Sequence, residues 1–278
     1  MSVAVDTTSV MAAANLLRGS SWVALTGAGM STDSGIPDYR GPTSIRATPM
    51  QFGEFLSSAE AQRRYWARSY LGWHRMGQAR PNTGHLLLVD LECAGLCGVI
   101  TQNVDGLHTA AGSSRVINLH GEIAVVICLD CGHRMSRGAV QARLSQLNPD
   151  LRAPSVLENA HLRPDGDAVV DSWRSFMLAE CMRCRGRLKP DVVFFGEAVP
   201  KPRVERAYRL VDEAEVLVVL GSSLTVMSGL RFVRHSAKNG RPVVIINRGA
   251  TRGDELAMIK IDGGCAETLA ALAVELAA

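Results

Sequence analysis

Five short runs of this chain, residues 22–26, 98–101, 116–119, 216–220 and 243–246, are apolar at nearly every position. A strand with one wet face alternates apolar and polar residues. A strand apolar throughout is buried on both faces, as in parallel sheets covered by helices. Between these runs, residues 83–94, 202–211 and 230–238 follow the helical period, and 267–278 reads as a closing helix. The alternation predicts an α/β fold with a doubly wound, Rossmann-like parallel sheet.

Two stretches break the rhythm. Residues 42–80 begin in a Gly-, Pro- and Ser-bearing loop and continue with Phe52, Phe55, Leu56, Tyr65, Trp66, Tyr70, Leu71 and Trp73 at helical spacing, a small helical insertion. Residues 122–189 hold two C-x-x-C pairs around a polar segment with Pro164 to Asp167, and no regular α/β pattern is read there. The expected division is therefore a discontinuous sheet domain (1–41, 81–121 and 190–278), a loop with helical insertion (42–80) and a metal-stapled module (122–189). The 278 residues suffice for a large domain with a smaller lobe.

Composition excludes several classes. A net charge of +3 is too small to argue for nucleic acid or an anionic membrane. Lysine occurs only at Lys189, Lys201, Lys238 and Lys260, and the arginines form no run. The first 18 residues lack a basic segment followed by an apolar one, and no window is apolar enough to span a bilayer. The expectation is a cytoplasmic enzyme.

The run 22–26 leads directly into Gly27-Ala28-Gly29. A strand, a glycine turn and a helix start would aim backbone N–H groups at an anion. The dehydrogenase fingerprint G-x-G-x-x-G is broken, because Thr32 stands at the third glycine. A tight turn needing positive φ explains a lone G-x-G equally well. The polar cluster Ser31, Thr32, Asp33, Ser34, Asp38, Tyr39 and Arg40 exceeds what a turn requires and favours a ligand.

Gln102, Asn103 and Asp105 follow the second run, and His120 follows the third. Ligands of open α/β sheets bind outside the carboxyl ends of the strands, so these residues share the chemically useful edge. A lone histidine there is more often structural. Three polar strand ends together favour His120 as a general base.

Seven cysteines cannot close into a complete disulfide set. Cys128, Cys131, Cys181 and Cys184 form two C-x-x-C pairs, and four thiolates fill a tetrahedral zinc site without leaving a position for water. The metal is expected to be structural. Cys93 and Cys97 are expected to be buried thiols, and Cys265 to lie where a ligand approaches the backbone after Gly263-Gly264.

Together these residues resemble the sirtuin family, the NAD-consuming protein deacylases. The matching motifs are G-A-G-M-S-T-D-S-G-I-P-D-Y-R from Gly27, T-Q-N-V-D-G-L-H from Thr101, L-H-G at Leu119, the cysteine pairs, L-K-P-D-V-V-F-F-G-E from Leu188, G-S-S-L from Gly221 and I-N-R-G from Ile246. They span nearly the whole chain in the family's order. R-Y-W-A-R from Arg64 and Tyr39, where many relatives have Phe, resemble the class II branch.

The resemblance implies that Gly27, Ala28, Gly29 and Thr32 hold the NAD pyrophosphate. It implies that Asp38, Tyr39 and Arg40 lie on the cofactor loop near the nicotinamide ribose, and that Gln102, Asn103 and Asp105 line that pocket. Gly221, Ser222, Ser223, Asn247, Arg248, Gly249 and Cys265 would contact the adenosine half. Val193, Phe194, Gly196 and Glu197 would form an edge on which the substrate peptide adds as a strand. His120, Asn103 and Asp105 would be catalytic.

The implied reaction removes acyl groups from protein lysines, yielding nicotinamide and 2′-O-acyl-ADP-ribose, with one structural Zn2+. The implied partner is an acylated lysine-bearing protein or peptide, not nucleic acid or membrane. Mono-ADP-ribosyl transfer from the same NAD site is the alternative. Tyr65 and Arg68 have a Y-x-x-R spacing suited to acidic acyl groups, but Trp66 beside them favours a packed tyrosine and a surface arginine.

Overall fold

The computed structural model describes residues 6–38, 49–152 and 173–278. Tyr39, Arg40 and Pro164 to Asp167 lie outside them. A six-stranded sheet runs in the order β3-β2-β1-β7-β8-β9, with β1 Trp22–Thr26, β2 Leu96–Thr101, β3 Val116–Asn118, β7 Val216–Leu220, β8 Val243–Ile246 and β9 Ile259–Ile261. Every pairing is parallel. Continuous apolarity has the expected cause. On β1, Trp22 and Ala24 enter one core while Val23 and Leu25 enter the opposite one, and β7 and β8 divide in the same way.

Helices α1 Thr7–Leu17, α4 Thr83–Asp90 and α9 Cys265–Ala277 cover the first face. Helices α7 Lys201–Glu213 and α8 Met227–Lys238 cover the second. Helix α1, capped by Asp6 accepting from the Thr8 N–H, and the three-residue strand β9 are additions to the sequence reading. No helix among the described residues is long and apolar enough to cross a membrane.

The chain traces β1, β2 and β3 to one side, leaves the sheet, and returns as β7, β8 and β9 on the other. The order reverses between β1 and β7, and this switch point opens a crevice at the strands' carboxyl ends.

The two interruptions build a smaller lobe with one shared core. Helices α2 Phe52–Ser57 and α3 Ala59–Met76 contribute Phe55, Tyr65, Trp66 and Tyr70. Residues 122–189 contain more regular structure than expected: β4 Gly121–Cys128, β5 Arg134–Ser136, helix α6 Arg137–Leu147 and β6 Leu188–Val192, the strands antiparallel in the order β5-β4-β6. The segment G-E-I-A-V-V-I-C of β4 buries Gly121 and Ile123, shifts phase at an irregularity in its pairing with β6, and then buries Val126 and Cys128 at its end.

Arg137, fully buried, joins the two insertions. Its guanidinium lies 5.1 Å from both the Trp66 and Trp73 ring centroids and donates to the Ser69 carbonyl at 2.8 Å and to Gln141. Ring faces and carbonyl oxygens stand in for a carboxylate, which reconciles a guanidinium with a dry interior.

Beneath the large sheet's carboxyl edge, buried His85 on α4 and His108 on α5 Leu107–Ala111 place their ring centroids 4.7 Å apart. His108 Nε2 pairs with Thr26 Oγ1 at 2.9 Å, while His108 Nδ1 and His85 Nε2 are without partners. Burial pushes the pKa of His85 down to about 4 and, helped by neighbouring His85, that of His108 to about 3. Unfolding lets both rise to the ordinary 6.5, so the unfolded chain binds more protons in between and stability falls as pH drops below 6.5. Each ring contributes a slope of up to about 1.4 kcal/mol per pH unit. Urea unfolding at pH 7 and pH 5 should show this loss, and His108→Gln should flatten it. An unchanged slope in that variant would exclude His108 as a source.

Candidate active site

The crevice at the switch point is shaped by backbone contact. Gly27 N donates to Leu220 O at 2.9 Å, and Gly29 N to Gly221 O at 2.9 Å. A Cβ on Gly29 would sit 2.9 Å from Gly221 Cα, and one on Gly221, at φ +61°, 2.5 Å from Met30 N. The glycines therefore serve a close approach of two turns. No α-helix starts after them; two 3₁₀ turns, Ala28–Met30 and Thr32–Ser34, follow, which corrects the expected helix start. The N–H groups of Gly27 and Gly29 are engaged within the protein.

A cavity of about 1400 Å³ opens over these turns. It is lined by Gly27, Ala28, Gly29, Thr32 and Asp38 after β1, by Gln102, Asn103 and Asp105 after β2, and by His120 after β3. On the other side lie Gly221, Ser222 and Ser223 after β7, Asn247, Arg248 and Gly249 after β8, and Cys265 at the start of α9. Val193, Phe194, Gly196 and Glu197 close the wall toward the smaller lobe. One cavity thus gathers every described residue expected at the cofactor, catalytic and substrate sites.

Within it, Asn103 Nδ2 donates to Gly27 O and to Ser31 Oγ, both at 3.0 Å, and Ser31 Oγ donates to Asp105 Oδ2 at 2.7 Å. A carbonyl and a carboxylate, both pure acceptors, fix the direction of this chain. Asp105 Oδ1 accepts from Leu107 N at 2.9 Å. Burial raises the Asp105 pKa, opposed by those two hydrogen bonds. Asp105 therefore orients Asn103 through Ser31, a residue the sequence reading placed only among the polar neighbours of the turn.

His120 Nδ1 lies 2.8 Å from the Gln102 carbonyl oxygen, and Nε2 lies 2.8 Å from Ser228 Oγ. The carbonyl only accepts, so Nδ1 carries the proton and Nε2 the lone pair. Burial pushes the pKa down to about 4; the Gln102 carbonyl opposes this, and the guanidinium charges of Arg203 and Arg231 add to it. The ring is neutral at physiological pH, as a base must be. Ser228 and Arg231, both lining the cavity from α8, were not singled out in the sequence because no motif marks them.

On the wall toward the smaller lobe Glu197 faces inward. Its carboxylate accepts from buried Lys189 at 2.8 and 3.0 Å and from Phe194 N at 2.8 Å. Val193 N donates to His120 O at 2.8 Å, and Phe52 N to Phe195 O at 2.8 Å. Glu197 thus braces the loop that carries Val193 and Phe194. Tyr65 is buried against Phe194 and lines the cavity, whereas Arg68 is not among the lining residues. Cys93 is exposed and Cys97 half-buried, which corrects the expectation of two core thiols. A 3₁₀ turn, Leu91–Ala94, carries Cys93 outward.

The four paired cysteines meet at the far end of the smaller lobe, with all sulfur atoms within 4.8 Å of one another. Cys128 and Cys184 are 3.5 Å apart and Cys131 and Cys181 3.8 Å. Zinc–sulfur bonds of about 2.3 Å in a tetrahedron demand about 3.8 Å between sulfurs, so the donor set fits Zn2+. Each C-x-x-C is followed by a left-handed residue, Gly132 at φ +70° and Arg185 at φ +58°. In the second turn that role falls to Arg185, while Gly186 is needed because a Cβ there would meet Asp130 Oδ2 at 2.4 Å. Arg183 N and Gly186 N donate to Cys181 and Cys184 Sγ, which favours the thiolates.

Residues 27–228 match the model of the Sir2 family. The chain is 54% identical over 263 residues to the NAD-dependent protein deacetylase 1 of Mycobacterium avium, covering 94% of this chain and 93% of that one. It is 45% identical over 254 residues to the NAD-dependent protein lipoamidase sirtuin-4, mitochondrial, of Bos taurus, covering 88% and 79%. A solved Sir2 with a deacetylated p53 peptide and 3′-O-acetyl ADP ribose superposes with TM-score 0.76 at 32% identity, covering 95% of this chain and 97% of that one.

The sulfur centre yields a direct test. A structural zinc contributes roughly 10 kcal/mol or more to folding. Cys184→Ser should therefore lose one equivalent of zinc, measured by elemental analysis, together with cooperative thermal unfolding. A zinc-free variant melting like the parent would contradict a structural metal.

Proposed function

The chain belongs to the Sir2 family, and from that premise we propose how its cavity carries out the reaction and on which substrates. The protein is an NAD-dependent protein deacylase that removes acyl groups, acetyl or longer, from lysine side chains, with nicotinamide and 2′-O-acyl-ADP-ribose as the other products. NAD supplies a glycosidic bond that releases nicotinamide as a neutral leaving group and leaves a sugar carbon that an amide oxygen can capture. Positioning is then the protein's main contribution.

Asn103, held by Gly27 O and Ser31, orients the nicotinamide end, with Asp105 as its support through Ser31 and Gln102 beside it in the cavity lining. Gly221, Ser222, Ser223, Asn247, Arg248, Gly249 and Cys265 receive the adenosine half, and the Gly27 turn receives the pyrophosphate. What supports this is that all of them line one cavity. The peptide lies along Val193, Phe194 and Gly196, a loop braced by Lys189 and Glu197. Ile36, Met50, Tyr65, Val104 and Phe194 offer an apolar wall to the acyl chain, which favours uncharged over acidic acyl groups. The name of the bovine relative favours chains longer than acetyl. The cytoplasm is the compartment that suits its free cysteines.

The observation that carries the reading is the tautomer of His120. With Nδ1 committed to Gln102 O, the ring presents Nε2 as a base for a ribose hydroxyl. His120→Ala should lower acyl-ADP-ribose formation by roughly 100-fold or more, the usual worth of a general base. Retained turnover with NAD and an acyl peptide would overturn the assignment. Among acyl peptides compared by nicotinamide release, lipoyl- or acetyl-lysine should outpace succinyl-lysine, and the reverse order would refute the apolar wall.

A further inference from the structure

Both ring nitrogens of His120 are occupied. Nδ1 donates to Gln102 O, and Nε2 accepts from Ser228 Oγ at 2.8 Å. The only lone pair with which this ring can act as a base therefore points at a serine hydroxyl. A substrate hydroxyl reaches it either by displacing Ser228 or by passing its proton through Ser228.

The fold favours the second route. Ser228 stands in the first turn of α8, and the next residue, Gly229, lies against Gln102: a Cβ there would meet Gln102 Oε1 at 2.5 Å. The same helical turn thus touches the serine on Nε2 and the residue whose carbonyl holds Nδ1. Ser228 lines the cavity beside His120 and is half-buried, so its oxygen faces both ring and cavity. A hydroxyl has one proton to give and lone pairs to accept another.

We propose that Ser228 relays the proton from the substrate's ribose hydroxyl to His120. The ribose O–H bond breaks as a new Ser228 Oγ–H bond forms. The proton Ser228 already held moves to Nε2, and the freed ribose electron pair attacks the acyl-bearing carbon. The ring ends doubly protonated, and its contact with Ser228 reverses direction without breaking. The inference rests on His120 being the general base of a deacylase.

Three variants of the full chain, loaded with zinc, separate the possibilities: Ser228→Ala, Ser228→Thr and His120→Ala. Two rates are read with NAD and an acetyl-lysine peptide, exchange of labelled nicotinamide into NAD and single-turnover formation of acyl-ADP-ribose. Ser228→Ala should keep exchange within about twofold and lower acyl-ADP-ribose formation at least about tenfold, the worth of a charge-assisted hydrogen bond. Ser228→Thr, which keeps the hydroxyl, should restore most of that rate. In mixtures of H2O and D2O the parent's single-turnover rate should fall along a curve, as when two protons move, and that of Ser228→Ala along a line. Parental product formation in Ser228→Ala, with His120→Ala inactive, would overturn the relay. Equal loss of exchange and product would overturn it too, by making Ser228 a binding residue. An active His120→Ala would instead remove the premise of a histidine base.

Discussion

The site depends on two backbone turns that touch. Where β1 and β7 end, Gly27 and Gly29 donate to Leu220 O and Gly221 O, and any side chain on Gly29 or Gly221 would collide with the opposite turn. That contact fixes the carboxyl edge of the sheet at its switch point. It also fixes Gly27 O, the acceptor that turns Asn103 toward Ser31 and Asp105. The glycine turn, expected from its sequence to hold an anion, has a steric purpose here, in which glycine permits the approach of two chains.

The second constraint is the union of two distant insertions into one lobe. Helix α3 and the zinc-bearing strands share a core, and Arg137 ties them through Trp66, Trp73 and Ser69. The four sulfurs sit at the lobe's far end, and no cysteine of the set lines the large cavity. The metal therefore acts at a distance, by holding β4 and β6 together. Strand β6 leads into Val193 and Phe194 on the cavity wall, where the half-buried Glu197 carboxylate pairs with the buried Lys189 ammonium.

What was legible in the sequence follows from this. Strands buried on both faces announce themselves by composition, so β1, β7 and β8 could be read to the residue. The short edge strand β9, with Lys260 at its centre, could not. The zinc ligands were legible because C-x-x-C spacing is local and the metal makes the long-range join. The lobe's own sheet was not, since β5 is three residues long and β4 meets its other partner, β6, only after the long intercysteine stretch. Asn103, Asp105 and His120 stood out as polar residues at strand ends. Ser31 and Ser228, which orient them, are serines of ordinary appearance whose importance lies in contacts across 74 and 108 positions.

The proposed reaction couples cleavage of NAD to transfer of an acyl group away from lysine within one cavity. Its most direct test is product stoichiometry by mass spectrometry after incubation with NAD and an acyl-lysine peptide. The coupled reaction yields nicotinamide, free-lysine peptide and acyl-ADP-ribose in equal amounts. ADP-ribose attached to the peptide or protein, or acyl release with NAD intact, would contradict it.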